Sequence, residues 1–300
     1  MRFIDLKTLK ASKSFFALYK LLKEEKPHTV FSTMGHVNIL VSLVAPLLKS
    51  TRFIARASNV PSEQILYEDL KTRFYELFTS VSYKAFNQII CQTKDMESSI
   101  LDRYGVDANK TLVIHNPLLN NDLVKTETNG VKVYKLLVVA RFAAEKGLDR
   151  LIDVMAQLPS NYQLSMAGKG QQRAAIENKV KKLNLTSRVT FLGEIRDVQQ
   201  VMLEHDLLVL SSFTEGFPNA VIEALAVGLP VVTFKVSGVN EIIKEGFNGY
   251  VVPQNDVAGF KEKIIEACTA STWNYKEIKS DVYTNFNLNK ITQAYEQLIN

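Results

Sequence analysis

The segment Leu207–Phe234 constrains this chain more than any other, because it sets two short apolar runs on either side of one polar loop and one short helix. Leu207–Leu210 and Val231–Phe234 are bounded by polar or turn residues and are short enough to be strands buried on both faces, as parallel sheets require. Between them SSFTEGFPN crowds Ser, Thr, Gly, Pro and Asn into a loop, and Ala220–Val227 reads as a helix stopped by Gly228 and Pro230. Strand, loop, helix and strand in that order make a parallel unit. In open α/β sheets, ligands bind at the loops that leave the carboxyl ends of such strands.

This loop carries ionisable groups. Glu215 stands in it, and Glu223 follows one turn into the helix. At the helix start the N–H groups of Phe217, Asn219, Ala220 and Val221 have no carbonyl one turn back, and the helix dipole strengthens their attraction for an anion. Pro218 loses no useful hydrogen bond there. Donors for a phosphate, flanked by two carboxylates that accept from hydroxyl groups, form the combination a sugar nucleotide needs. Two Glu eight positions apart also occur by chance on many helices, so the spacing alone does not decide.

The remainder alternates in the same way. In the first part the pattern predicts an amphipathic helix within residues 1–26, strands at His28–Phe31, Arg52–Ala55, Gln88–Cys91 and Thr111–Ile114, and helices at Val37–Leu48, about Gln64–Phe86 and Asp95–Tyr104, the last capped by Thr93. The polar, turn-rich residues 119–132 read as a linker. Beyond it come strands Tyr134–Ala140, Gln163–Ala167 and Val189–Leu192, with helices Leu148–Leu158, Arg173–Leu183, Val198–Glu204, Ala258–Thr269 and Asn287–Ile299. Strands alternating with helices of this size predict an α/β chain of two Rossmann-like domains, 1–122 and 133–284.

Three hundred residues suffice for two such cores, and the longest apolar run falls far short of the roughly 20 residues that span a membrane. The opening MRFIDLKTLKASKSFF spreads its charges and has no apolar centre, so no signal peptide is expected. Cys91 and Cys268 are too few for a disulfide framework and lack metal spacing, which fits a reducing cytoplasm. Residues 1–125 hold 17 Lys plus Arg against 12 Asp plus Glu, whereas residues 126–300 hold 19 of each. An excess confined to the first part suits an anionic membrane surface or a phosphorylated acceptor, or is an ordinary solvated surface.

Arg141 and Lys146 follow the strand Tyr134–Ala140 directly, where both can meet a diphosphate, although EKG also serves as a plain surface turn. Gly168-Lys-Gly170 follows a strand but lacks a full dinucleotide fingerprint, so its glycines permit a tight turn at least as well as they cradle phosphate. That deficit also disfavours a nicotinamide-dependent dehydrogenase. His36, Arg56 and Asn59 sit at the ends of predicted strands on the side where an acceptor would bind, though a lone His is more often structural.

As a string, EGFPNAVIEALAVGLPVV followed by SGVNEII and GFNGYVVP resembles the donor-binding segment of the retaining GT-B glycosyltransferases of the group 1, or family-four, type. The resemblance covers essentially the whole chain. It implies a cleft between the two domains, a C-terminal helix (285–300) rejoining the first, and a nucleoside diphosphate sugar as donor, most simply UDP-linked. Glu223 is then the acceptor for the ribose hydroxyls, and Glu215 holds sugar hydroxyls and orients the anomeric carbon. RF…EKG is the diphosphate clamp, and backbone atoms near Ile195 hold the nucleobase.

No metal or other cofactor is implied, since two cations and a helix end stand in for one and no Asp-x-Asp triplet occurs in a loop. The implied acceptor is a saccharide, carried on a lipid at the inner face of a bacterial membrane, in polysaccharide or glycan assembly; no nucleic acid is implied. The chain departs from the family in two places. Many members carry a His where this chain reads ARASN, and they open with a glycine-rich strand-loop-helix unit ahead of the segment matching residues 1–35. On ordinary unit lengths that predicts a first domain incomplete by roughly sixty residues. A second class therefore stays open: a non-catalytic or fragmentary glycosyltransferase that binds the donor nucleotide or needs a partner chain.

Overall fold

The computed structural model describes residues 6, 14–58, 78–126, 133–270 and 273–299. The chain divides into two compact units, Met1–His115 with Ala294–Asn300, and Asn116–Gln293.

In the first unit four parallel strands lie side by side in chain order: β1 (Thr29–Thr33), β2 (Arg52–Arg56), β3 (Gln88–Cys91) and β4 (Thr111–Val113). Helices Phe15–Glu25, Gly35–Val44, residues 78–84 and Lys94–Tyr104 accompany them. Thr93 caps the last of these, its Oγ1 accepting from Met96 N at 3.0 Å, and Gly105 closes it in the left-handed conformation that lacks a penalty only for glycine. Phe53, Ile89 and Cys91 meet Val41, Val44, Met96 and Ile100 in one core. Buried Asn38 accepts from Ser32 Oγ at 2.8 Å and donates to Arg56 O at 3.1 Å, tying the carboxyl ends of β1 and β2 together. The earlier part of the first expected helix, Asn59 and residues 64–77 of the expected long helix lie outside the described residues.

The second unit carries six parallel strands: β5 (Tyr134–Val139), β6 (Tyr162–Ala167), β7 (Val189–Gly193), β8 (Leu207–Leu210), β9 (Val231–Phe234) and β10 (Gly249–Val252). Their order across the sheet is β7-β6-β5-β8-β9-β10, so the chain winds outward from β5 in one direction and then from β8 in the other. This is the doubly wound arrangement, and its switch point lies between β5 and β8. Alternate residues feed two cores. Leu136, Val138 and Val209 join Leu151, Ile152 and Phe260 on one face, while Leu137, Leu208 and Leu210 join Val221, Ile222 and Ile278 on the other. Burial on both faces is why the strand sequences are apolar without alternation, and each fully buried Leu or Val contributes about 1.5–3 kcal/mol.

Several features differ from the sequence reading, among them a short additional helix at Val239–Ile242. The helix after the Glu215 loop is Asn219–Leu225, ending two residues earlier than expected in a turn closed by Gly228. The strand β10 is an additional one; its first residue must be glycine, because a Cβ on Gly249 would lie 2.1 Å from Val231 O. The helix Tyr275–Phe286 is also additional, with Asn274 Oδ1 accepting from Glu277 N and Ile278, Val282 and Phe286 buried at four-residue spacing. Residues 119–126 have no regular structure but are fastened to the second unit: Lys279 Nζ donates to Asn121 O at 2.6 Å and Leu123 O at 2.8 Å, and Lys125 N donates to Val227 O at 2.8 Å.

Candidate active site

The loops that leave β5 and β8 diverge from the switch point, and they bring together residues far apart in the chain. After β5, Arg141 is exposed and pairs with Glu145, a one-turn neighbour. Lys146, four-fifths buried, donates from Nζ to Glu215 Oε2 at 2.7 Å. The other carboxylate oxygen of Glu215 accepts from Ser212 Oγ at 2.6 Å. Glu215 therefore has a cation on one oxygen and a hydroxyl on the other, a fixed orientation that a solvated loop carboxylate lacks.

Gly147 makes this approach possible. Its φ is +58°, and a Cβ there would lie 2.2 Å from Ser211 O, so the two loops touch backbone to backbone. Ser211 Oγ adds a bond to Lys146 O at 3.0 Å, and Phe213 N donates to Glu145 O at 2.8 Å. The Gly168–Gly170 loop packs on the same segment: Phe142 N donates to Lys169 O at 2.9 Å, and a Cβ on Gly168, at φ +130°, would meet Ala140 O at 2.0 Å. These glycines serve close backbone approach.

Glu223 is half-buried on the helix Asn219–Leu225 and has no hydrogen bond or ion pair among the described residues. Burial alone raises its carboxyl above the ordinary range. Such a carboxylate is open to hydroxyl donors from a ligand. At the start of that helix the expectation of four free amides is corrected for two of them: Asn219 N donates to Phe217 O and Val221 N to Pro218 O, both at 2.9 Å. Pro218 at ψ 74° tightens the first turn enough to satisfy them internally. Phe217 and Pro218 are buried, Ala220 is half-buried, and the exposed Asn219 side chain accepts from Asn116 Nδ2 at 2.7 Å.

Ile195 follows β7, and its side chain lines a groove of about 400 Å3 with Gln163, Ser165, Thr190, Leu192 and His205. Burial lowers the pKa of His205, whose Nδ1 donates to Val201 O at 2.6 Å. His36 is exposed in the first turn of Gly35–Val44 and belongs to the first unit, as does Arg56 at the end of β2, whereas Arg141, Lys146, Gly168, Ile195, Glu215, Glu223 and residues 217–221 belong to the second. Among the described residues, no group of three His, Cys, Asp or Glu side chains could hold a metal ion.

Sequence reasoning overlooked Ser212, Arg150 and Gln254. Arg150, on the helix Leu148–Gln157, donates from Nε to Ser211 O at 2.8 Å, from Nη2 to Ser212 O at 2.7 Å and from Nη1 to Gln254 Oε1 at 2.9 Å. Its guanidinium lies 3.8 Å from the ring centres of both Phe213 and Phe234. The only signal of Ser212 was its place in a polar loop after a strand. Arg150 gave none.

Two Rossmann-like units in one chain, with acids and cations gathered at the switch point of the second, match the architecture of the GT-B class of glycosyltransferases. The family model for glycosyl transferases group 1 matches residues 122–279. An Escherichia coli UDP-Gal:alpha-D-GlcNAc-diphosphoundecaprenol alpha-1,3-galactosyltransferase is 25% identical over 315 residues, covering 98% of this chain and 80% of that protein. An uncharacterized glycosyltransferase of Methanocaldococcus jannaschii is 31% identical over 205 residues, covering 67% of this chain but 54% of its own length. Among solved structures, the Anabaena protein HepE in complex with UDP and glucose superposes with a TM-score of 0.81 at 19% identity, over 96% of this chain and 80% of that one. The chain belongs to the group 1 glycosyl transferases. It is a glycosyltransferase enzyme with the GT-B fold, as its motifs implied.

Proposed function

We propose that the protein transfers a hexose from a UDP-sugar to a saccharide acceptor on a lipid carrier, with retention of the anomeric configuration. The observation that carries this reading is the pairing of Lys146 with Glu215 across the two loops that diverge at the switch point. A diphosphate at that point meets Lys146 and the exposed Arg141, which stabilise charge on the departing phosphate, where it grows in the transition state. Glu215, released from Lys146 by the incoming phosphate, accepts from sugar hydroxyls and orients the anomeric carbon. Glu223, desolvated and without a protein partner among the described residues, accepts from the ribose hydroxyl pair.

Support for UDP as carrier comes from the names of the E. coli relative and of the HepE complex. Support for a lipid-linked acceptor comes from the diphosphoundecaprenol in the former. The leaving phosphate takes the acceptor proton, so no enzymic base and no metal is required, and His36 serves at most to orient the sugar. The enzyme works at the cytoplasmic face of the membrane. No helix among the described residues is long and apolar enough to cross one, while Lys20, Lys23 and Lys26 beside the exposed Phe16 suit contact with anionic headgroups.

Calorimetric titration with UDP and a panel of UDP-sugars, beside a Glu223→Ala control, tests the reading. Binding abolished in the control, followed by transfer of the tightest-bound sugar to a diphosphoundecaprenol-linked saccharide, is expected. No binding by the folded chain rejects the donor site, and binding without transfer to any such acceptor leaves a nucleotide-binding module.

A further inference from the structure

The half-buried guanidinium of Arg150, packed against two aromatic rings beside the candidate active site, is explained by its hydrogen bonds. Where β8 ends at Leu210, the carbonyls of Ser211 and Ser212 leave the sheet ladder inside the protein, where both residues are almost wholly buried. Such carbonyls need donors. Arg150 supplies both from one rigid fork, and Gln254 reinforces it, its Nε2 donating to Ser212 O at 3.1 Å and Lys235 O at 3.0 Å. The rings of Phe213 and Phe234 on either side fix the plane of the fork.

The side chains of those two serines point to the two members of the ion pair. Ser211 Oγ donates to Lys146 O and Ser212 Oγ to Glu215 Oε1. One guanidinium thus holds two carbonyls whose own hydroxyls hold Lys146 and Glu215. We propose that Arg150 is a positioning residue: through Ser211 and Ser212 it sets the placement of Lys146 against Glu215 without touching the donor. This inference rests on the assignment of those two residues to the transfer site.

Arg150→Ala leaves a slot between two rings, lined by two carbonyl oxygens, that matches a free guanidinium ion in shape and charge. Three measurements on the full chain test the proposal: calorimetric UDP affinity, turnover with a UDP-sugar, and the rate of acylation of Lys146 by an amine reagent, read by mass spectrometry. UDP affinity is expected to stay within a few-fold of the parent, because Glu223 is untouched. Turnover falls about 100-fold, the scale on which an ångström of misplacement acts. Lys146, no longer held by Glu215, acylates faster. Guanidinium chloride at low millimolar concentration restores turnover and protection, whereas methylammonium, which lacks the fork, does not.

If the alanine variant fails to fold, Arg150→Lys is examined in the same way and is expected to split affinity from turnover likewise. Unchanged turnover and acylation overturn the proposal. So does a loss shared equally by UDP binding, or one that guanidinium leaves unrepaired. Acylation of Lys146 reads the placement whether or not any donor is transferred, so failure of the proposed reaction is separable from failure of this inference.

Discussion

Lys146 Nζ lies 2.7 Å from Glu215 Oε2 across 69 residues of sequence, with both side chains at least four-fifths buried. If these groups act as a pair, their removals are not additive. Lys146→Ala and Glu215→Ala are each expected to lower kcat strongly while leaving UDP affinity closer to the parent than Glu223→Ala does. The double variant loses less than the product of the two, with a coupling of about 1–3 kcal/mol. A double-mutant cycle in kcat/KM measures it, and additive losses contradict the pairing.

The Glu215 loop, both carboxylates and both cations were legible because a parallel strand buried on both faces is a continuous apolar run, and the loops after β5 and β8 break those runs with Gly, Pro and Ser. Arg150 was not legible. Its partners are the carbonyls of residues 61 and 62 positions away, and a backbone acceptor leaves no trace in residue type. The closed amides of Asn219 and Val221 depend on the ψ of Pro218, which residue identity does not fix. The helix Tyr275–Phe286 could have been found from Asn274 and the spacing of Ile278, Val282 and Phe286, a signal diluted by the charged residues between them.

Gly147 gives a stability prediction with a catalytic signature. Alanine there takes on a left-handed backbone and a Cβ 2.2 Å from Ser211 O. Gly147→Ala is expected to lower stability by about 1–3 kcal/mol in denaturant unfolding and to separate Lys146 from Glu215. Activity should fall further than the folded fraction alone explains. A variant as stable as the parent contradicts the contact.

Burial raises the Glu223 carboxyl, so its folded pKa lies above its unfolded one. The stability this group contributes is full below the unfolded pKa and is lost as pH rises through the folded value. Glu223→Gln removes that loss: the variant is expected to be more stable than the parent near neutral pH and equal to it in acid below the ordinary carboxylate range. Its affinity for UDP falls about 10–100-fold, the worth of hydrogen bonds to a charged acceptor. Urea unfolding across that pH range, beside calorimetry, reads both effects. A stability difference that persists unchanged into acid contradicts desolvation of the carboxylate as its cause.

Lys125 sits at the opposite end of the sheet, fully inside the second unit. Its Nζ has no hydrogen bond among the described residues, with Asp206 Oδ1 3.8 Å away and the Tyr275 ring 5.7 Å away, and burial lowers its pKa. An ammonium desolvated this far is stabilised little by one carboxylate at that distance. For a group whose folded pKa is depressed, stability is present above the unfolded value and lost as pH falls through the folded one. At neutral pH the parent therefore carries the burden of a buried charge. Lys125→Met keeps the stem's packing and removes the charge, and is expected to raise stability at pH 7 by about 1 kcal/mol, within the range found when buried ions give way to apolar side chains. The gain shrinks as the parent lysine deprotonates in alkali. Thermal or urea unfolding from neutral to alkaline pH decides: a variant less stable than its parent at pH 7 would mean that Asp206 and Tyr275 together stabilise the cation after all.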